Sequence, residues 1–175
     1  MRKLKNEELN RLSPDEIINF KKNPVVLVLD DVRSAMNVGS AFRTSDAFLI
    51  EKIYLCGITA QPPHREINKT ALGAQDTVEW EHTEKIGDCI DSLRKEGYQI
   101  VAVEQADEST SLLDFTISSE EKYAFIFGNE VFGVNNQIVE SADTVLEIPQ
   151  YGTKHSLNIS VSIGVVLWGC ISQVK

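Results

Sequence analysis

The sequence predicts an α/β domain, a mostly parallel sheet flanked by helices, and three observations carry that expectation. Short β-branched apolar runs alternate with longer helical stretches. The first run, Val25-Val26-Leu27-Val28-Leu29, is apolar throughout, as in a strand buried on both faces. Polar, glycine-bearing segments follow directly on the strand runs, where parallel α/β folds place their ligand sites. With 175 residues, 42% of them hydrophobic and 25% charged, the chain suits a single globular core and not a disordered or fibrous structure.

Taken in order, residues 1–22 read as an N-terminal helical extension of one or two short polar helices. Ser13 is placed to cap, Pro14 to occupy the first helical position, and Asp15 and Glu16 to face the helix N-terminus. Asn23-Pro24 closes that stretch, and residues 23–175 form the domain proper. After 25–29, strands are expected at Lys52–Cys56, Tyr98–Val103, Tyr123–Phe127 and Thr144–Ile148. Helices are expected at Val38–Leu49, Arg65–Leu72, Thr83–Glu96, Asn135–Ser141 and Leu157–Ile171.

Composition narrows the function classes. Cys56, Cys89 and Cys170 are odd in number and widely spaced, which indicates neither a disulfide framework nor a metal site and fits a reducing compartment. No leader-like segment opens the chain and no apolar run approaches the ~18 residues of a membrane span, so a cytoplasmic location is expected. The glycine fingerprints of dinucleotide and P-loop sites are absent, as are zincin and serine-hydrolase motifs.

The net charge of −9 argues at first against a polyanionic partner. Its distribution softens that argument. Residues 76–121 hold thirteen acidic and three basic side chains, whereas 1–22 hold six basic and four acidic, and 23–75 hold five of each. The acids of 76–121 are therefore expected to form a face turned away from a nucleic acid. Candidate phosphate contacts are Arg2, Lys3, Lys5, Arg11, Lys21, Lys22, Arg33, Arg65, Lys69 and Lys154.

Three strand exits concentrate the chemistry. The first runs from Leu29 through Asp30, Asp31 and Arg33 to Asn37-Val38-Gly39-Ser40-Ala41-Phe42-Arg43-Thr44. Asn37 stands where a helix cap belongs, and Arg43 is a lone charge among apolar neighbours; a plain cap at Asn37 and an Arg43 pair with Asp46 or Asp30 are the structural alternatives to a site. The second, Gly128-Asn129-Glu130-Val131-Phe132-Gly133, brackets one carboxylate between two glycines, and a simple turn with Glu130 in solvent is the alternative. The third runs from Ile148-Pro149-Gln150-Tyr151-Gly152 to Ser156-Leu157-Asn158-Ile159-Ser160, where Ser156 and Asn158 open an apolar helix rich in small residues.

In this order the clusters resemble the three motifs of the SpoU (TrmH-like) branch of the SPOUT RNA methyltransferases. These read N-x-G-x-x-x-R-T, G-x-E-x-x-G and I-P-x-x-G-x-x-x-S-L-N-x-S, all present here, with Gln150 where methionine is usual and Ser162 where alanine is usual. The resemblance implies a C-terminal deep trefoil knot, a homodimer with its active sites at the subunit interface, and S-adenosyl-L-methionine as cofactor. The cofactor would lie against Glu104, Gln105, Gly128, Asn129, Gly133, Ile148 and Leu157, held largely by backbone. The implied reaction methylates a ribose 2′-hydroxyl in tRNA or rRNA, with Arg43 acting on the hydroxyl and Asn37, Glu130, Ser156 and Asn158 completing the catalytic set. A guanidinium stays protonated in proteins and is a poor base, so Arg43 suits stabilisation of a developing alkoxide or binding of the adjacent phosphate. Two other readings stand beside this one: a non-catalytic RNA-binding paralogue of the same fold, and an α/β enzyme acting on a small nucleotide.

Overall fold

A computed structural model describes residues 1–173; the last two positions of the expected domain, 174–175, lie outside the described residues. The chain opens with a 3-10 turn at Asn6–Glu8 and a five-residue helix, α1 (Pro14–Ile18). Ser13 caps α1 as expected: its hydroxyl accepts from the Glu16 amide at 3.3 Å while the Glu16 carboxylate accepts from the Ser13 amide at 2.8 Å.

Seven strands follow: β1 (Asn23–Asp30), β2 (Ile50–Cys56), β3 (Glu79–Thr83), β4 (Tyr98–Val103), β5 (Thr110–Ser111), β6 (Lys122–Phe127) and β7 (Thr144–Glu147). They form one sheet in the order β3-β2-β1-β6-β4-β7-β5, with every pairing parallel. Parallel strands need crossovers, supplied by α2 (Ala35–Ala47), α3 (Arg65–Ala71), α4 (Ile86–Lys95) and α5 (Asn136–Ser141), with α6 (Ile159–Ile171) closing the described chain.

Alternation along the central strands divides two cores. Val25, Leu27 and Leu29 of β1 join Phe125 of β6, Phe42 of α2, Ile67 of α3 and Ile163 and Leu167 of α6 on one face. Val26 and Val28 join Ile126 of β6, Leu93 of α4 and Ile138 of α5 on the other. A strand feeding two cores must be apolar at every position, which is why 25–29 does not alternate.

The sequence reading differs from the structure at several places. The helix expected over Thr83–Glu96 begins only at Ile86, because Glu79–Thr83 pairs with β2 as an edge strand. The sequence Glu79-Trp80-Glu81-His82-Thr83 does alternate, with Trp80 and His82 partly buried, but its outward carboxylates mask the signal. The helix expected from Val38 begins at Ala35 and ends at Ala47, since Ser34 and not Asn37 caps it, its hydroxyl accepting from the Asn37 amide at 3.3 Å. The helix expected from Leu157 begins at Ile159 and is capped by Asn158, not Ser156. The acids of 76–121 do not form one face. They run from β3 at one sheet edge, across α4, to β5 at the other edge, and Glu104 lies beside the cavity described below.

Asp30 carries a pH dependence of its own. It is only 7% exposed at the end of β1. Burial first, and the charge of Asp31 second, push its carboxyl up to about 6 against the pull of a hydrogen bond from the Asn135 amide. An unfolded aspartate releases its proton near ~3.9, so between about pH 4 and 6 the native state binds more protons than the unfolded chain and stability falls as pH rises. Asp30→Asn keeps an acceptor for the amide without the charge. Urea denaturation is expected to show Asp30→Asn more stable than wild type at pH 7.5, by on the order of 2 kcal/mol, with no such gain at pH 4.

Candidate active site

The carboxyl ends of β4, β6 and β7 open into a cavity of about 640 Å³. Its floor is apolar, from Val103, Phe127, Leu146 and Ile159, and its rim is polar, from Gln105, Asn129, Glu130, Gln150, Ser156 and Asn158. All seven positions expected to hold a cofactor line it: Glu104, Gln105, Gly128, Asn129, Gly133, Ile148 and Leu157.

The local chemistry explains how the wall is built. The Glu104 carboxylate accepts from the amides of Gln105 at 2.9 Å and Val134 at 3.0 Å, tying the β4 exit to the loop after β6. The Asn129 side chain accepts from the amides of Val131 and Phe132 at 2.8 and 3.2 Å and donates to the Asp31 carbonyl at 2.8 Å. Gln105 donates to the His155 carbonyl at 2.9 Å, closing the far side. A Cβ on Gly128 would strike the backbone of Gly133 and Val134, and Gly133 holds φ of +69° against the Glu104 carboxylate, so both glycines are required by the turn itself. Glu104 and Asn129 thus shape the wall with their side chains.

Among the described residues, the backbones of Gly128, Ile148 and Leu157 make no intramolecular hydrogen bond. They are the free donors and acceptors that a ligand held by backbone requires. The lining carries two carboxylates, Glu104 and Glu130, and no lysine or arginine. That suits a ligand with an apolar ring and cationic centres, which S-adenosylmethionine is, and disfavours a phosphate-bearing cofactor.

At the rim, the three clusters meet. β1 and β6 are neighbours although far apart in sequence, so the loops that leave them share the crevice at the topological switch. Glu130 accepts there from the Arg33 and Ser34 amides and from Asn37 Nδ2, each at 3.0 Å. Asn37 Oδ1 in turn accepts from Asn158 Nδ2 at 3.4 Å, and Asn158 Oδ1 accepts from the Ser160 amide at 2.9 Å. Burial alone would push the Glu130 carboxyl up, but the amides of Arg33 and Ser34 and the Asn37 side chain outweigh it and hold it below the usual carboxylate range. Glu130, though exposed at the rim, is therefore a structural carboxylate that gathers donors from two other segments.

Arg43 stands apart from this relay. It lies on the exposed face of α2 with Met36 and Ala47, outside the cavity lining, and among the described residues it pairs with neither Asp46 nor Asp30. Six residues of helix place it about 9 Å beyond Asn37 along the axis and on a different face. Of the expected phosphate contacts, Arg2 is already paired with Glu8 at 2.6 Å and Lys69 approaches Glu66 at 3.9 Å. His64 caps α3, accepting from the Glu66 amide at 3.2 Å.

A parallel α/β sheet with a cavity free of basic side chains at its carboxyl strand ends and a polar relay across its switch point has the ligand site of an α/β enzyme. Residues 24–168 match the SpoU rRNA Methylase family, and the chain belongs to it. It is 26% identical to the tRNA (guanosine(18)-2'-O)-methyltransferase of Borreliella burgdorferi, over 92% of this chain and 72% of that protein. It is 28% identical to the 23S rRNA (guanosine-2'-O-)-methyltransferase RlmB of Neisseria meningitidis, over 87% of this chain, and spans 60% of that longer protein. The AdoMet-bound rRNA methyltransferase from Sinorhizobium meliloti superposes with a TM-score of 0.81 at 26% identity, covering 94% of this chain and 62% of that one.

Proposed function

We propose that this chain methylates a ribose 2′-hydroxyl of tRNA or rRNA, working as a cytoplasmic homodimer whose C-terminal segment is threaded as a trefoil knot. The observation that carries the reading is the Glu130, Asn37, Asn158 relay, which joins all three clusters at the mouth of the cavity. The backbones of Gly128, Ile148 and Leu157 would hold S-adenosylmethionine, which would supply an electrophilic methyl group from its sulfonium and leave as the neutral thioether S-adenosylhomocysteine. The chain's own work is placement. Asn37 and Asn158 set the rim, Ser156 offers a free hydroxyl there, and Glu130 keeps the β1 exit in position. The hydroxyl proton would pass to water or a neighbouring phosphate as the 2′-oxygen takes the methyl group.

Arg43 fits this scheme through the dimer. α2 and α6 lie side by side, with Asn37 near Asn158 at one end and the Phe48 ring 6.4 Å from that of Trp168 at the other. Their outward faces form one surface carrying Met36 and Arg43 from α2 and Val161 and the 65% exposed Trp168 from α6. A second copy seated on that surface buries the apolar side chains and brings Arg43 to a site at the subunit boundary.

The deciding experiment incubates the purified protein with labelled S-adenosylmethionine and undermodified tRNA and rRNA. Transfer of label to a ribose 2′-oxygen is the expected result. Cofactor binding without transfer to any RNA supports the non-catalytic paralogue, and transfer to mononucleotides alone supports a small-molecule enzyme.

A further inference from the structure

The loop after β6 ends in an aromatic side chain that the relay does not use. Phe132 is 85% exposed at the cavity rim, and Val131 beside it is 66% exposed. A single exposed apolar side chain is ordinary, but Phe132 and Val131 stand together at the mouth of a cavity ringed by polar groups, the setting in which exposed apolar surface marks a ligand site. Its backbone, by contrast, is held tightly. Asn129 and Gly133 exchange two backbone hydrogen bonds at 3.0 and 2.9 Å, and the Asn129 side chain accepts from the Phe132 amide. The turn is pinned from below and presents the ring outward, which lowers the entropy cost of a contact made there.

The surroundings indicate what covers the ring. Phe132 shares the rim with Asn129, Glu130, Asn136 and Gln150, all hydrogen-bonding side chains. One π face set among polar groups matches a ligand that is itself flat with polar edges, as an unpaired nucleobase is. The apolar stripe of α6 is the contrasting case, suited to a helix of a second copy. Phe132 is also two residues from Glu130, so a base stacked on it leaves its ribose close to the relay.

We propose that Phe132 is a substrate-binding residue, the platform on which a nucleobase of the RNA, at or next to the methylated nucleotide, stacks. This rests on the reading of the chain as an RNA ribose methyltransferase. Base-aromatic stacking is worth ~1–3 kcal/mol per base, so Phe132→Ala is expected to raise KM for RNA by about 5- to 150-fold. kcat should change far less. Phe132→Trp and Phe132→Tyr should restore KM, whereas Phe132→Leu, apolar but not aromatic, should not. Affinity for S-adenosylmethionine by calorimetry, and subunit association by sedimentation, should match wild type in every variant. An unchanged KM in Phe132→Ala overturns the inference and leaves the enzyme assignment standing. Parallel loss of cofactor affinity overturns it by placing the ring over the cofactor, and a monomeric Phe132→Ala overturns it by placing the ring in the dimer. Wild-type protein that methylates no RNA removes the assignment itself, and the inference with it.

Discussion

Arg43→Ala is expected to lower methyl transfer to RNA by at least ~10²- to 10³-fold, the usual loss when a donor aimed at developing negative charge is removed. Cofactor affinity and thermal unfolding should stay at wild-type values. The geometry supports that separation. Arg43 lies outside the cavity lining of its own chain, so removing it takes nothing from that wall, and it is exposed on α2 without an ion pair among the described residues, so removing it leaves no buried charge behind. Arg43→Lys should recover little, because an ammonium lacks the planar fork of donors. Mixing Arg43→Ala with a Gly128→Ala chain tests the dimer placement. If each arginine serves the site of the other subunit, a mixed dimer regains one intact site, about half the activity of a wild-type dimer, and two variants that fail to complement would tie Arg43 to its own chain.

What the sequence revealed, and what it hid, follows from how local each signal is. The central strands were legible because β1 is apolar at five successive positions, and the loop motifs because glycine, asparagine and glutamate there are demanded by turn geometry within a few residues. The edge strand β3 was hidden because its outward positions carry Glu79 and Glu81, which read as a solvated segment until β2 is seen beside it. Asn37 was misplaced for a related reason. Any of Ser34, Asn37 or Ser40 can cap a helix on composition, and only the three-dimensional position of Glu130 shows that the Asn37 side chain turns away from its own helix toward another loop. Arg43 sits six residues from Asn37 and was grouped with it by chain proximity. The helix separates them by about 9 Å along its axis and turns them to different faces. The acidic segment was read as one face because charge was counted along the chain, whereas the sheet order sends β3 and β5 to opposite edges.

Glu130 is where local and long-range constraints meet, and its variants should separate geometry from stability. Its carboxylate holds three donors, the Arg33 and Ser34 amides and Asn37 Nδ2. In a buried site the loss of so many bonds would unfold a small domain, but Glu130 is exposed and water can replace it as acceptor. Glu130→Ala is therefore expected to cost under ~1 kcal/mol in urea denaturation. Activity should fall much further, by ~10²-fold in kcat, because water does not fix Asn37 against Asn158 or hold the β1 exit in register with the cavity, and small misplacements of reacting groups are costly. Glu130→Gln distinguishes charge from shape. The amide can still accept from Asn37 but offers only one oxygen to donors that the carboxylate shares between two, so it should recover part of the loss. The sign of the pH effect follows from the depressed carboxyl. The stability that Glu130 contributes is present above the ordinary glutamate pKa near ~4.3 and is lost as pH falls through its lower value in the folded protein. Wild type should keep the relay below the pH at which an ordinary glutamate protonates and lose it further into acid, whereas Glu130→Gln, with no proton to gain, should lack that acid-side component. An acid limb identical in the two proteins would mean that the Glu130 charge is not what holds the three loops together.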